Sequence, residues 1–228
     1  MWKCSGLSNS EMVSNLVKHD LVPGGSVVES SMLMVDRALF CPAHLEEKSS
    51  SYQYGPYQDA PQALGWKSTI SAPSVHAVAL TACADVLCRS LARPKVLDVG
   101  AGSGIMMAYF LAMNRRSFVA GVEVVRPLVA QIDTNLKKMF GEDEASVGRW
   151  TVCHGDGWRG MANLAPFDVI HVGACADGPP QSLIDQLSVG GRLIIPIGKH
   201  TEQQQLMAFD KMAEGEIVVS KVGCKNRL

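Results

Sequence analysis

The segment Val96-Leu97-Asp98-Val99-Gly100-Ala101-Gly102-Ser103-Gly104 constrains this chain more than any other. A short apolar run ends in glycines at three alternate positions, and an apolar stretch of helical character follows. Glycine permits a tight turn and lets a ligand approach the backbone with no Cβ in the way. Strand, glycine turn and helix in that order open a parallel α/β sheet. The downstream chain keeps to the pattern. Candidate strands at 96–99, 117–123, 149–153, 167–172 and 191–197 alternate with candidate helices at 104–113, 127–140 and 180–188. That alternation predicts βαβ units with helices on both faces. Two further runs, 204–210 and 216–222, flank Met212-Ala213-Glu214-Gly215 and predict an antiparallel hairpin at the sheet edge. The expected fold class is α/β: a doubly wound, mostly parallel seven-stranded sheet of Rossmann-like type, with an N-terminal helical extension and a C-terminal antiparallel hairpin.

Residues 1–92 read as the helical and loop region of that same domain, and 93–228 as its ligand-binding core. Ser8 to Glu11 has capping-box spacing, with Leu7 and Met12 placed as a hydrophobic staple, so a helix is expected to about His19. Pro23-Gly24-Gly25 breaks it. Ser26 to Glu29 repeats the box, and a second helix is expected to run to Phe40 and stop before Cys41-Pro42. Ser49 through Gly65, rich in Ser, Tyr, Pro and Gly, reads as a long loop of the kind that is usually functional or disordered. Pro73 suits the first position of a third helix, which Val75, Val78, Ala79, Ala82 and Val86 follow at helical spacing.

The chain has 228 residues, 47% of them apolar and 19% charged, enough for an ordinary globular core. A formal net charge of −1 argues against a dedicated nucleic-acid binder. No apolar run reaches the roughly 18 residues of a membrane span, and Met1-Trp2-Lys3-Cys4-Ser5-Gly6 lacks the apolar stretch of a secretory signal. Seven cysteines, none in Cys-x-x-Cys and none with histidines at zinc-finger spacing, fit thiols in a reducing compartment better than a disulfide framework or a metal site. A monomer in the cytoplasm, with no metal, nucleic-acid or membrane partner, is expected.

Three groups fall beyond the carboxyl ends of candidate strands, where open α/β sheets bind ligands. The first is the glycine loop. The second is Glu123, nineteen residues after Gly104, which can accept hydrogen bonds from both hydroxyls of a ribose. The third is Asp156 in His154-Gly155-Asp156-Gly157, whose carboxylate could reach an adenine amino group. Taken singly, each has a plainer reading: a strand–helix turn, a surface glutamate, an Asp-Gly turn. Together they describe a site for a nucleoside whose other end lies against the glycine loop, and S-adenosylmethionine fits it. The spacing Gly-x-Gly-x-Gly, with Ile105 next, departs from the Gly-x-Gly-x-x-Gly of nicotinamide dinucleotide sites and disfavours an oxidoreductase.

The sequence resembles the protein-L-isoaspartate (D-aspartate) O-methyltransferase family over roughly residues 8–222. The motif Leu97–Gly104 is shared by many S-adenosylmethionine-dependent methyltransferases. The diagnostic segments are Asp59-Ala60-Pro61-Gln62-Ala63-Leu64-Gly65, Thr69-Ile70-Ser71-Ala72-Pro73-Ser74-Val75-His76-Ala77, Ile170-His171-Val172-Gly173-Ala174 and Gly190-Gly191-Arg192-Leu193-Ile194-Ile195-Pro196-Ile197-Gly198. The resemblance implies a repair enzyme of the Rossmann-like methyltransferase fold. It would move a methyl from S-adenosyl-L-methionine, leaving S-adenosyl-L-homocysteine, to the freed α-carboxylate of L-isoaspartyl and D-aspartyl residues in damaged proteins and peptides. The ester would then close to a succinimide that reopens partly to aspartate. A catalytically weak relative acting as a cofactor-dependent protein-binding module is the alternative.

The resemblance implies Ser71 as the active-site serine. Read without it, Ser71 is a helix-start or N-cap residue before Pro73. It further implies Thr69, Ile70, Ser71, Asp98, Gly100, Gly102, Gly104, Glu123, Asp156 and Gly157 at the cofactor, and Asp59, Pro61, Gln62, His76, Val172, Gly173 and Ala174 at the substrate. His76 reads equally well as a helix-packing residue. A carboxylate nucleophile is ionised at pH 7 and needs no general base. The resemblance breaks at Val222-Gly223-Cys224-Lys225-Asn226-Arg227-Leu228, where the family continues with a Gly-x-x-(Tyr/Phe)-Val-Pro-Leu segment that helps frame the peptide. Peptide binding is expected to be weaker for it.

Overall fold

The computed structural model describes residues 3–42, 55–89, 93–199 and 204–223. In chain order, helices α1 (Asn9–Lys18) and α2 (Val27–Met34) precede a small hairpin, β1 (Gln62–Gly65) and β2 (Ser68–Ile70), and the long helix α3 (Pro73–Leu87). The core follows as β3 (Lys95–Val99), α4 (Ile105–Met113), β4 (Phe118–Glu123), α5 (Arg126–Phe140), α6 (Glu142–Ser146), β5 (Trp150–His154), β6 (Phe167–Val172), α7 (Gln181–Ile184) and β7 (Leu187–Ile197). It closes with β8 (Gln205–Lys211) and β9 (Ile217–Lys221).

Seven strands form one sheet in the order β5-β4-β3-β6-β7-β8-β9. The first five pair in parallel, and β7–β8–β9 are antiparallel. The order reverses between β3 and β6, and that crevice is where such sheets take ligands. Side chains alternate between two cores, as the period of 2 demands. Val96, Val119, Val169 and Ile194 face one side, and Leu97, Ala120, Ile170 and Leu193 face the other. The first side carries α3, α4 and α5, with α1 and α2 as an outer layer. Ile105-Met106-Met107-Ala108-Tyr109-Phe110-Leu111 is buried without a break because α4 lies between the sheet and α2.

Both capping boxes form. The hydroxyls of Ser8 and Ser26 each accept an amide N–H, of Glu11 and Glu29 respectively, at 3.2 Å. The two glutamates reach back to the amides of Leu7 and Gly25. The staple does not form, since Leu7 is 66% exposed while Met12 is fully buried. The second helix stops six residues short of Phe40. Val35 turns extended, and the Asp36 carboxylate accepts the Ala38 N–H at 2.9 Å to start a separate 3₁₀ turn, Arg37–Phe40. The helix expected over 180–188 shrinks to α7, because Leu187 already pairs with Phe167 in the sheet. The inward stripe of α3 is rotated from the expected one. His76, Ala79, Leu80, Cys83, Val86 and Leu87 are buried, and Val75 is exposed.

The expected loop Ser49–Gly65 contains a 3₁₀ turn, Gly55–Tyr57, and then β1. The β1–β2 turn is Trp66-Lys67, both with positive φ, at 49° and 62°. That is the type I′ pattern, made here without the Asn-Gly pair that would advertise it. The part of this loop at 49–54, and Cys224 with the departure from the family ending at 224–228, lie outside the described residues.

Candidate active site

Two cavities meet at the carboxyl ends of β3 and β6. The inner one, about 70 Å³, is lined by Thr69, Ile70, Ser71, His76, Asp98, Gly100, Gly102, His171, Val172 and Gly173 among others. The outer cleft, about 860 Å³, is lined by Asp59, Pro61, Ser71, Val75, Gly173 and Cys175, with Lys3 and His19 on its N-terminal wall. Ser71 and Gly173 belong to both.

Ser71 arrives there because β2 ends at Ile70 and Pro73 starts α3 at once. The plainer reading of Ser71 as the helix cap does not hold. The N-cap residue is Ala72, with no side-chain cap of its own. Asp59 supplies one from a distance, its Oδ1 accepting the Ser74 N–H at 2.9 Å. The Asp59 amide in turn donates to Ser5 Oγ at 3.0 Å, tying the N-terminal segment to the cleft. The Ser71 hydroxyl makes no hydrogen bond to protein among the described residues, so it is left for a ligand.

The glycine loop turns as its composition requires. Gly100 and Gly102 have φ of +73° and +56°, where a side chain is strained. The space beside Gly100 is open for 4 Å. Its amide donates to Val122 O at 2.9 Å, and Gly173 donates to Val99 O at 2.8 Å, which sets the loop between β4 and β6. Glu123 is buried, with Oε2 accepting the Gly102 N–H at 2.9 Å and Oε1 the Val125 N–H at 2.8 Å. The glutamate therefore pins the loop as well as standing at the strand end.

Asp98 is buried beneath the loop. Its Oδ1 accepts from His171 Nδ1 at 2.7 Å, and its Oδ2 has no partner among the described residues. An unpartnered carboxylate oxygen inside the cavity wall is a ready acceptor for an ammonium group. His171 was not among the residues expected at the site. The signal for it was a polar side chain near the end of the otherwise apolar β6, within Ile170-His171-Val172.

The structure does not gather every expected residue. Gly104 serves as the N-cap of α4, in a left-handed conformation. Asp156 stands half-exposed past β5, its carboxylate accepting the Trp158 N–H at 3.0 Å, with Gly157 opening the 3₁₀ turn it caps. Neither lines the two cavities. Gln62 is also outside them, donating from Nε2 to Gly55 O at 2.7 Å, and Ala174 is exposed beyond Gly173. Cys4 and Cys175 line the outer cleft, but burial raises both thiols above their ordinary range, helped by the charges of Asp59 and Asp177 respectively. Neither is an activated nucleophile.

A family model described as protein-L-isoaspartate(D-aspartate) O-methyltransferase matches residues 7–225. The protein-L-isoaspartate O-methyltransferase of Caenorhabditis elegans is 38% identical over 213 residues, covering 92% of this chain and 87% of the relative. Protein-L-isoaspartate O-methyltransferase 1 of Arabidopsis thaliana is 37% identical, covering 96% and 89%. Among solved structures, a protein-L-isoaspartate O-methyltransferase from Plasmodium falciparum, in complex with S-adenosyl-L-homocysteine, superposes with a TM-score of 0.77 at 28% identity, covering 94% of each chain. With the glycine loop, the buried Asp98 and the free Ser71 hydroxyl in place, this chain belongs to the protein-L-isoaspartate(D-aspartate) O-methyltransferase family.

Proposed function

We propose that this chain is a protein-repair enzyme that methylates the α-carboxylate of L-isoaspartyl residues in damaged proteins, using S-adenosyl-L-methionine. D-aspartyl residues form a second substrate class. The observation that carries the reading is the place of Ser71, whose unengaged hydroxyl borders both the inner cavity and the outer cleft.

The residues fit the cofactor. Asp98 Oδ2 is a buried acceptor without a partner, suited to the ammonium of an amino-acid end. Gly100 leaves the backbone bare, with nothing within 4 Å of where a Cβ would stand. The inner cavity is too small for the whole molecule, so the nucleoside belongs outward across β4 and β5, with Glu123 at the ribose and Asp156-Gly157 at the base. When bound, S-adenosyl-L-methionine supplies a methyl on a sulfonium, an electrophile that a carboxylate attacks without prior deprotonation.

The chain's own part is alignment and exclusion of water. The outer cleft receives the peptide between Pro61, Val75, Gly173 and the N-terminal wall. The Ser71 hydroxyl donates one hydrogen bond to the substrate carboxylate, fixing it without neutralising it. No general base is needed, and none is offered by Cys4 or Cys175. The α-carboxylate of an isoaspartyl residue hangs free of the main chain and can reach the cavity mouth. The aspartyl side-chain carboxylate is set differently on the backbone. Residues 1–92 act as the cover over the 93–228 core, since Lys3, Cys4, Asp59, Pro61 and the start of α3 line the outer cleft. The six described cysteines are all free thiols, which supports a reducing, cytoplasmic setting. The chain acts as a monomer.

Mass spectrometry of an isoaspartyl peptide incubated with enzyme and cofactor tests the reading. The expected result is one added methyl that is later lost as methanol, leaving a succinimide. A stable methyl, or equal labelling of the aspartyl twin, contradicts it.

A further inference from the structure

The 3₁₀ turn Arg37–Phe40 buries one guanidinium completely. Arg37 forms no ion pair among the described residues, and its Nη2 has no hydrogen-bond partner. Nε donates to Pro56 O at 2.8 Å. A guanidinium does not give up its proton inside a protein, and burying an unpaired charge is costly. Holding one turn in place is a small return for that cost.

The remaining nitrogen shows where the charge is directed. Arg37 Nη1 lies 3.5 Å from His76 Nδ1, at the long end of hydrogen bonding. A guanidinium donates and cannot accept, so Nδ1 is the bare nitrogen and the proton of the neutral ring sits on Nε2. His76 is buried and lines the inner cavity, and its Nε2 makes no hydrogen bond to protein among the described residues. Tyr109 from α4 packs edge-on against the ring, with centroids 6.2 Å apart. The charged and titratable neighbours that act on the ring are Arg37 from the turn and His171 from β6. Burial first, then Arg37, then His171 pushes the His76 pKa well below the ordinary histidine range.

We propose that Arg37 is a positioning residue: it fixes His76 as a neutral ring whose Nε2–H is offered to a carboxylate in the inner cavity. The guanidinium charge, with no carboxylate in contact to cancel it, attracts the same anion at longer range. Two carboxylates have reason to be there, one on the amino-acid end of the cofactor and one on the substrate. The inference rests on the functional reading above, which supplies both anions. The state of the ring does not depend on that reading.

The test is nitrogen NMR of the full chain labelled in histidine, paired with calorimetric titration of S-adenosyl-L-homocysteine and the peptide KM. In the native protein His76 should show a bare Nδ1, a protonated Nε2 and no titration through neutral pH. Arg37→Met should mix the two tautomers and bring the ring's titration upward. It should weaken binding of one carboxylate about tenfold to a hundredfold, the cost of a hydrogen bond to a charged group, with kcat less affected. Arg37→Lys should recover part of the loss. Weakened S-adenosyl-L-homocysteine names the cofactor carboxylate, and a raised peptide KM alone names the substrate's. If Arg37→Met does not fold, His76→Gln and His76→Asn decide. The glutamine amide reaches the place of Nε2 and should retain binding, while asparagine stops at Nδ1 and should lose it. A folded Arg37→Met with native tautomer and both affinities unchanged overturns the proposal, as do His76→Gln and His76→Asn variants that behave alike. Absence of methyl transfer to isoaspartyl peptide with the native tautomer intact defeats the functional reading and not this one.

Discussion

Asp59 Oδ1 accepts the backbone N–H of Ser74 at 2.9 Å, so a residue ahead of the β1–β2 hairpin caps the helix that follows it. This contact fixes the start of α3, three residues after Ser71. Asp59→Ala should cost about 0.5–2 kcal/mol, the usual loss of a helix cap, while Asp59→Asn, which keeps an acceptor oxygen, should cost much less. Thermal unfolding of the two variants checks this. Equal losses would show that the aspartate's charge, and not its capping, is what the fold uses.

Among the described residues, Ser71→Ala removes the one hydroxyl shared by both cavities and disturbs no protein hydrogen bond. Turnover on isoaspartyl peptide should fall about tenfold to a thousandfold, the range seen for one positioned donor in a transition state. Stability and S-adenosyl-L-homocysteine affinity should hold near native. Steady-state kinetics beside calorimetry separates these, and native turnover would remove Ser71 from the mechanism.

The core was legible because its signals are local. Val96–Gly104 announces strand, turn and helix within nine residues, and Ser8 and Ser26 declare their caps three residues ahead. The β1–β2 hairpin was not, since Trp66 and Lys67 adopt positive φ without glycine or asparagine. The length of α2 is not legible in the sequence, because Asp36 ends it by capping a new turn, a choice periodicity does not register. Of the residues singled out in the sequence, Ser71, Asp98, Gly100 and Gly102 fall around one cavity, while Glu123 lies buried behind the loop and lines neither. The pairing of Asp98 with His171 spans 73 positions, and that of Arg37 with His76 spans 39. Such contacts depend on the fold and leave no spacing to read.

Glu123 pins the glycine loop and, on the proposed function, also binds the ribose, so its loss should show twice. Glu123→Ala strips the acceptor from the part-buried Gly102 and Val125 amides, at about 1–3 kcal/mol of stability. If Glu123 also holds the ribose, as proposed, S-adenosyl-L-homocysteine affinity should drop about tenfold to a hundredfold. Unchanged affinity in a folded variant would place the ribose elsewhere.

Gly100→Ala tests the loop from the other side. At φ +73° an alanine should cost about 1–2 kcal/mol of stability. The space around its methyl is open in the protein alone, so any further penalty must come from the ligand. We expect cofactor affinity to fall beyond the stability loss. A variant that unfolds earlier yet binds S-adenosyl-L-homocysteine like the native chain would mean the cofactor does not approach Gly100.

On the proposed function, Ser71 presents an isoaspartyl α-carboxylate, and not an aspartyl side chain, at the mouth of the inner cavity. Its most direct test is the initial rate of labelled methyl transfer from S-adenosyl-L-methionine to two peptides of identical sequence, one with L-isoaspartate and one with L-aspartate at a single position. The expected result is base-labile label on the isoaspartyl peptide alone, and its near disappearance with Ser71→Ala. Equal labelling of the two peptides, or none on the isoaspartyl peptide at saturating concentration, would contradict it.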